Sequence, residues 1–184
     1  MHGPRRHEWQ RDDLHVVLVN PQIPQNAGNV ARTCAATSIA LHLVGPLGFE
    51  LTNTKLKRAG LDYWDQVAMA VHPSWNDFLA FLKELPGRNK LVAFSKFGTC
   101  HYATEGLYGG SAWDTTWLLF GAETTGLPPE AHAGVAESGG NVVKIPMANF
   151  EHVRSLNLAT SVGVGVFEAL RQLDGAFLPE NIEI

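Results

Sequence analysis

The sequence predicts an α/β fold in which a parallel sheet is flanked by helices. From Leu14 onward, short apolar runs bounded by Pro, Gly and Asn alternate with longer amphipathic stretches. The apolar runs are continuous and rich in Val, Leu and Phe, which is typical of strands buried on both faces. A chain of 184 residues can also bury a substantial core without disulfides or a structural metal.

The predicted elements follow from these runs and from helix-capping residues. The strands are Leu14 to Val19, Ala40 to Val44, Val67 to Val71, Lys90 to Phe94, Trp117 to Phe120 and Val142 to Ile145. The clearest helices begin after Asn29, run from an N-cap at Ser74 to Leu85, and run from Ser155 to Leu173. Pro128 and Pro129 mark a further helix start, and Gly106 to Gly110 has the composition of a flexible surface loop.

One domain is expected, from residue 14 to residue 175. Residues 1–13 form an N-terminal extension that we expect to be flexible, and residues 176–184 form a C-terminal tail. Neither an internal repeat nor a linker divides the chain.

Composition limits the function classes. The chain is 45% apolar, and none of its apolar runs approaches the roughly 20 residues that span a bilayer, so we expect a soluble protein without a membrane partner. A net charge of −4 argues against binding nucleic acid by bulk charge and leaves a local basic patch open. Cys34 and Cys100 lack neighbours at zinc-ligand spacing, so neither a metal nor a disulfide is expected. A reducing compartment fits, with the cytoplasm expected and an organelle open.

The loop after the first strand carries candidate functional groups. It runs from Asn20 to Asn29 and leads directly into the helix that bears Arg32. Open α/β sheets bind ligands at this edge, and a helix start exposes N–H groups to anions. Arg32 could therefore face a ligand, but a solvent-facing arginine on an amphipathic helix explains the same spacing, and both interpretations stay open.

A second loop, from Leu119 to Pro128, follows another strand. Gly121 and Gly126 would let the backbone approach a ligand closely, and Glu123 between them could orient a ligand or an arginine, or simply be solvated. The loop is not a P-loop, because Lys-Ser/Thr does not follow the second glycine.

A third loop, from Val143 to Leu158, joins a strand end to the last helix. Ser155 or Asn157 could cap that helix while facing a ligand. Gly163 and Gly165 lie inside the helix, where each costs about 1 kcal/mol relative to alanine, so we expect close approach of another helix there. Because they do not lie at a strand-to-helix turn, they are not a dinucleotide fingerprint.

These three loops, in this order, resemble the signature motifs of the SPOUT methyltransferases, in particular the SpoU/TrmH branch that methylates ribose 2′-hydroxyls. The likeness covers about Leu14 to Gly175 and is greatest to the small TrmL type, which consists of the catalytic domain alone. The matching segments are Pro21 to Asn29, Lys57 to Tyr63, Gly121 to Pro128, Ile145 to Met147, Arg154 to Asn157 and Glu168 to Leu173.

The resemblance implies a SPOUT fold with a C-terminal trefoil knot, a homodimer, and S-adenosylmethionine as methyl donor. It implies tRNA as substrate and partner, with 2′-O-methylation of the wobble cytidine or uridine. The cofactor-binding positions it implies are Phe94, Gly121, Ile145, Met147, Ser155 and Leu156. The catalytic positions are Arg32, Asn26, Glu123 and Asn157, with the arginine of one subunit serving the pocket of the other.

RNA contacts are expected at Lys57, Arg58 and Arg154. Lys55, Lys57 and Arg58 form a basic cluster suited to phosphates, and Tyr63 or Trp64 could stack on a base. A solvated surface and partial burial explain these residues equally well. The sequence departs from the bacterial TrmL pattern in its N-terminal extension, in Phe167 where tyrosine is common, and in a longer Met147 to Ser155 loop. That loop includes His152, which could touch RNA.

The chemistry favours a charge-stabilising role for Arg32 over that of a general base, because guanidinium groups stay protonated at neutral pH. We expect Arg32 to contact an RNA phosphate and stabilise the developing alkoxide, with Asn26, Glu123 and Asn157 orienting it. Three alternatives remain: methylation of rRNA or another tRNA site, a knotted RNA-binding protein that has lost catalysis, and methylation of a tRNA guanine base. The Asn-x-Gly-Asn-x-x-Arg motif favours ribose over base.

Overall fold

The computed structural model describes residues 11–51, 67–149 and 151–174, and it confirms the α/β class. Its elements in chain order are β1 (Leu14–Val19), α1 (Pro24–Ala36), β2 (Ala40–Val44), β3 (Met69–His72), α2 (Trp75–Glu84), β4 (Asn89–Phe94), β5 (Cys100–His101), β6 (Thr115–Phe120), α3 (Pro129–Glu137), β7 (Asn141–Lys144) and α4 (Leu158–Asp174).

The strands of the described residues form one sheet in the order β3-β2-β1-β6-β4-β7-β5. Every pairing in it is parallel. At the centre, Val16 of β1 pairs with Leu118 of β6. Because the strands run in one direction, the carboxyl ends of β1, β6, β4 and β7 lie along one edge, where ligands of open α/β sheets bind.

Apolar side chains cover both faces of this sheet. One face carries Leu18 and Phe120 and packs against α1 and α4 through residues such as Val30 and Val166. The opposite face carries Trp117 and packs against α2 and α3. Burial on both faces explains why the strands read as continuous apolar runs.

Helix ends agree with the predictions to different degrees. Ser74 caps α2, since its hydroxyl accepts a hydrogen bond from the Asp77 N–H at 3.2 Å, as predicted. Helix α1 begins at Pro24, earlier than the predicted start after Asn29. Helix α4 begins at Leu158, later than predicted. The Asn157 side chain accepts hydrogen bonds from the N–H groups of Ala159 and Thr160 and so caps the helix at this position.

The prediction of a flexible surface loop at Gly106 to Gly110 is wrong for its centre. Leu107 and Tyr108 are buried, and the Lys90 ammonium donates to the Leu107 carbonyl at 2.6 Å. The flanking glycines, with positive φ, turn the chain so that two apolar side chains enter the core. The short strand β5, which pairs with β7, was not predicted.

Gly165 of α4 faces different surroundings from those predicted. A Cβ atom added at Gly165 would lie 2.6 Å from the Phe94 ring and 3.1 Å from the Phe120 ring, so Gly165 makes room for strand aromatics and not for a helix. A Cβ atom at Gly163 would meet nothing within 4 Å.

The chain entering β1 is held by ion pairs. Arg11 binds Asp13 at 2.7 Å and Asp174, at the end of α4, at 2.6 Å. Residues 1–10 of the predicted extension, and the predicted tail 176–184, lie outside the described residues. No helix in the described part of the chain is both long and apolar enough to cross a membrane.

Three histidines form a row across neighbouring strands on the α2 side of the sheet. His15 contacts His42 at 3.3 Å, and His42 contacts His72 at 3.0 Å. Burial, followed by the proximity of His15 and His72, lowers the pKa of His42 well below 6.5. Burial also lowers the pKa of His72, against a smaller opposing effect of Asp77. Both imidazoles therefore bind a proton less readily in the folded protein than in the unfolded chain.

We expect the free energy of unfolding to fall as the pH is lowered from 7 to 5. In this window the unfolded histidines bind more protons than folded His42 and His72 do, so stability rises with pH by up to about 1.4 kcal/mol per pH unit for each group. Urea titrations at half-unit pH steps measure this slope. The His42→Leu variant removes one such group and should show a shallower slope; a stability that is flat from pH 7 to 5 would contradict the account.

Candidate active site

A cavity of about 750 Å³ opens at the carboxyl ends of β4, β6 and β7. This volume lies in the range of small-molecule sites. Its lining residues come from four chain segments that follow strands or precede α4, together with the helices α1, α3 and α4. They are Ile23, Asn26, Phe94–Phe97, Phe120–Leu127, His132, Lys144–Met147, Ser155–Leu158 and Ser161.

The loop after β6 has a fixed shape that depends on its two glycines. A Cβ atom at Gly121 would lie 2.1 Å from the Leu127 nitrogen, so any side chain there would force the loop apart. Ala122 and Gly126 exchange two backbone hydrogen bonds, of 3.1 and 2.8 Å, and Gly126 has φ +73°, where glycine is favoured. The loop thus presents backbone and Glu123 to the cavity.

The Glu123 carboxylate ties this loop to the start of α1. One oxygen accepts from the Gln22 N–H at 2.9 Å. The other accepts from the Ile23 N–H at 3.1 Å and from the Asn26 amide at 3.0 Å. Helix α1 has no side-chain cap of its own and no acidic residue in its first turn. Glu123 supplies the missing negative charge from another part of the chain.

The same chain of hydrogen bonds continues to α4. The Asn157 amide donates to the Asn26 side-chain oxygen at 3.0 Å, while the Asn157 oxygen caps α4. Glu123, Asn26 and Asn157 therefore join three loops that are far apart in sequence. We refer to these three residues as the Glu123–Asn26–Asn157 chain.

Hydrogen bonding keeps Glu123 ionised. Its partial burial acts to raise the pKa, but the bonds from Asn26 and from the backbone of Gln22 and Ile23 outweigh that effect and lower the pKa below 4.5. At neutral pH the carboxylate is a fixed acceptor at the cavity wall.

The predicted site residues are largely brought together. All of the predicted cofactor-binding positions line the cavity, namely Phe94, Gly121, Ile145, Met147, Ser155 and Leu156. Asn26, Glu123 and Asn157 line it as well. Arg32 does not; it is exposed on α1. Arg154 and His152 are exposed and also lie outside the lining, while Lys55, Lys57, Arg58, Tyr63 and Trp64 fall outside the described residues.

Sequence reasoning missed several lining residues. Lys96 and Phe97, in the loop after β4, face the cavity together with Lys144 and His132. The first two follow a predicted strand end, so the rule that identified the other loops applied to them too. His132 carried no such signal, because it reaches the site from inside α3.

The cavity suits a small molecule with apolar and charged parts. Phe94 and Phe120 stack at 4.6 Å between ring centroids and form an apolar wall. Glu123 supplies an acceptor, and Lys96 and Lys144 supply positive charge near the rim. Among the described residues, no group of three or more His, Cys, Asp or Glu side chains could hold a metal ion.

Comparison of the sequence with known protein families identifies the family of this chain. The sequence profile of the SpoU rRNA methylase family matches residues 13–167. The chain belongs to the SpoU rRNA methylase family. The match spans every loop of the cavity.

SpoU relatives resemble this chain over nearly their whole length. A protein from Synechocystis sp. is 47% identical over 165 residues, which are 87% of this chain and 97% of the relative. The tRNA (cytidine(34)-2′-O)-methyltransferase of Burkholderia ambifaria is 42% identical over 159 residues, 86% of this chain and 95% of its own.

Solved SpoU structures share the fold. One comes from work on the 2-OH methylation of C/U34 on tRNA. It is 50% identical to this chain with a TM-score of 0.71, and the match covers 89% of this chain and 97% of the solved chain. An AdoMet-bound rRNA methyltransferase from Sinorhizobium meliloti is 27% identical with a TM-score of 0.74, covering 90% of this chain and 58% of its own.

Replacing Glu123 with glutamine should destabilise the protein by about 1 kcal/mol at pH 7, because a charged acceptor of three donors becomes a neutral amide. The contribution of ionised Glu123 is present above pH 4.5 and is lost as the pH falls through its lower folded-state pKa. Urea unfolding at pH 7 and pH 3.5 should therefore show a difference that shrinks in acid. Glu130→Gln, on the exposed start of α3, is the matched control; an equal effect of both changes would contradict the assignment.

Proposed function

We propose that this protein transfers a methyl group from S-adenosylmethionine to the ribose 2′-hydroxyl of the wobble nucleotide, cytidine or uridine 34, of tRNA. The observation that carries the proposal is that the chain's three family motifs converge on one cavity, where the Glu123–Asn26–Asn157 chain joins their loops. The relatives named for this activity match almost the entire chain, which supports the wobble position as the target.

The lining residues fit the methyl donor. The apolar side chains of Phe94, Ile145 and Met147 suit an adenosine, and the backbone around Gly121 offers polar groups at close range. Phe94, Gly121, Ile145, Met147, Ser155 and Leu156 would hold it. S-adenosylmethionine, when bound, supplies an activated methyl group on a sulfonium.

The protein's own task is to position the ribose and favour loss of its hydroxyl proton. The Glu123–Asn26–Asn157 chain fixes the three loops that border the reacting groups. Arg32 contacts an RNA phosphate and stabilises charge that develops on the 2′-oxygen. The hydroxyl proton would pass to solvent, while the ordered loops and the Arg32 cation lower the barrier.

The exposed position of Arg32 favours a site shared between two subunits. Arg32 lies on the outer face of α1, which packs against α4. On α4, Phe167 is 55% exposed and Gly163 faces open space, so an apolar helix face is left uncovered. A second copy of the chain packed there would bury this face and bring its Arg32 toward the neighbouring cavity.

Contacts around α4 support a trefoil knot. The chain leaves β4, pairs as β5 outside β7, and returns to β6. On the way back, Leu107 donates to the Gln172 side chain at 3.1 Å and Glu105 pairs with Arg171 at 2.6 Å. The β5–β6 connection therefore lies against the end of α4, which supports the proposal of a knotted path.

Nucleoside mass spectrometry tests the proposed reaction. Unmodified tRNA incubated with the protein and isotope-labelled S-adenosylmethionine should gain one labelled methyl on the ribose of nucleotide 34. Methylation of a base, of rRNA, or of ribose at another position would refute the proposal, as would the absence of any transfer.

The Arg32→Ala variant should lose at least about 100-fold in methylation rate, the usual effect of removing one group that stabilises transition-state charge. It should retain S-adenosylmethionine affinity in calorimetry, because the proposed role of Arg32 is to contact the RNA phosphate and the 2′-oxygen and not the methyl donor. Arg32→Lys is the matched control and should recover part of the rate. Wild-type turnover by a folded Arg32→Ala protein would end this assignment.

Phe167→Glu should convert the dimer to a monomer and abolish methylation, because it introduces charge into the proposed apolar interface. Light scattering measures the mass of both forms. Phe167→Tyr keeps the ring and should remain dimeric; a wild-type protein that is monomeric at micromolar concentration would disprove the shared site.

A further inference from the structure

Phe97 is an exposed aromatic residue at the mouth of the cavity. Its residue surface is 75% exposed, a larger fraction than that of any other exposed large apolar residue in the described part of the chain. Single exposed apolar side chains are common on protein surfaces and need no explanation. Phe97 differs because it lies on the rim of the cavity that the proposed reaction uses.

The turn that carries Phe97 is firmly held. The Ser95 hydroxyl accepts from the Phe97 N–H at 3.2 Å, and the Gly98 N–H donates to the Ser95 carbonyl at 3.0 Å. A Cβ atom at Gly98 would lie 2.3 Å from the Val143 carbonyl carbon, so the turn is pressed against β7. The exposed ring therefore projects from a rigid support.

Positive charge accompanies the ring. The Lys96 ammonium lies 5.0 Å from the centroid of the Phe97 ring, and Lys144 lines the same cavity. Proteins that bind single-stranded RNA combine these elements, since bases stack on aromatic side chains while nearby cations meet the phosphates.

The other aromatic residues of the cavity are already paired. Phe94 and Phe120 stack on each other and are buried. Within the described residues, no other aromatic ring stacks on Phe97. The Lys96 ammonium lies over one face of the ring, so an incoming base would stack on the opposite face.

We propose that Phe97 is a stacking platform for a nucleobase of the tRNA anticodon loop, with Lys96 binding an adjacent phosphate. This inference rests on the proposed function and deepens it, because it assigns RNA recognition to the loop after β4. The platform would hold the splayed loop while the target ribose enters the cavity. Phe97 touches the RNA and not the methyl donor.

The test compares Phe97→Ala, Phe97→Leu and Phe97→Trp with the wild type. Removing one base-stacking ring should weaken binding of an anticodon stem-loop RNA about 10-fold. It should raise KM for tRNA by a similar factor and leave kcat and calorimetric S-adenosylmethionine affinity within about 2-fold. Phe97→Leu keeps an apolar side chain and should behave like Phe97→Ala, whereas Phe97→Trp should bind at least as tightly as the wild type.

A fluorescence measurement isolates the stacking itself. In Phe97→Trp, the stem-loop should quench the new tryptophan relative to the same titration of the wild type, which corrects for the other tryptophans. Val71→Ala, which changes an exposed apolar residue on β3, is the control and should leave RNA binding unchanged.

These measurements distinguish a failure of the proposed reaction from a failure of the stacking proposal. If the wild type does not methylate tRNA, the proposed function fails. If the wild type methylates tRNA but Phe97→Ala binds the stem-loop normally, the stacking proposal alone is wrong. Loss of S-adenosylmethionine affinity in Phe97→Ala would show that the ring packs on the methyl donor, and equal RNA binding by the alanine, leucine and tryptophan variants would exclude stacking.

Discussion

The site depends on one partly buried carboxylate in the cavity lining, that of Glu123. Its oxygens accept hydrogen bonds from two backbone N–H groups and from Asn26, and Asn26 in turn binds Asn157 at the start of α4. Helix α1 has no cap of its own, and α4 begins where Asn157 caps it. The start of both helices and the shape of the cavity therefore rest on the same three side chains.

The fold places the residues that shape this site at one edge of the sheet. The parallel sheet brings the ends of β4, β6 and β7 to one edge, and glycines at 121 and 126 let the β6 loop close on itself there. The apolar wall of Phe94 and Phe120 requires Gly165 on α4, because a side chain at that position would collide with both rings. Core packing and site geometry thus constrain the same residues.

Part of this could be predicted from sequence because its causes are local. β1 and β2 are continuous apolar runs between breakers, and their predicted bounds agree with the observed ones. β5 has two residues and forms only because β7 lies beside it. Burial of Leu107 and Tyr108 depends on contacts with distant α4. Asn26, Glu123 and Asn157 were predicted to orient Arg32, yet they bind one another across separations of 97 and 131 residues, which no local pattern encodes.

In the proposed reaction, this cavity delivers a methyl group to one ribose hydroxyl. The most direct test of this reaction uses two tRNA transcripts that differ only in the 2′-oxygen of nucleotide 34, one with ribose and one with 2′-deoxyribose. With labelled S-adenosylmethionine, the account predicts transfer to the ribose transcript and only background label on the deoxy transcript. Equal labelling of both would contradict it, because the acceptor would then be a base or another nucleotide.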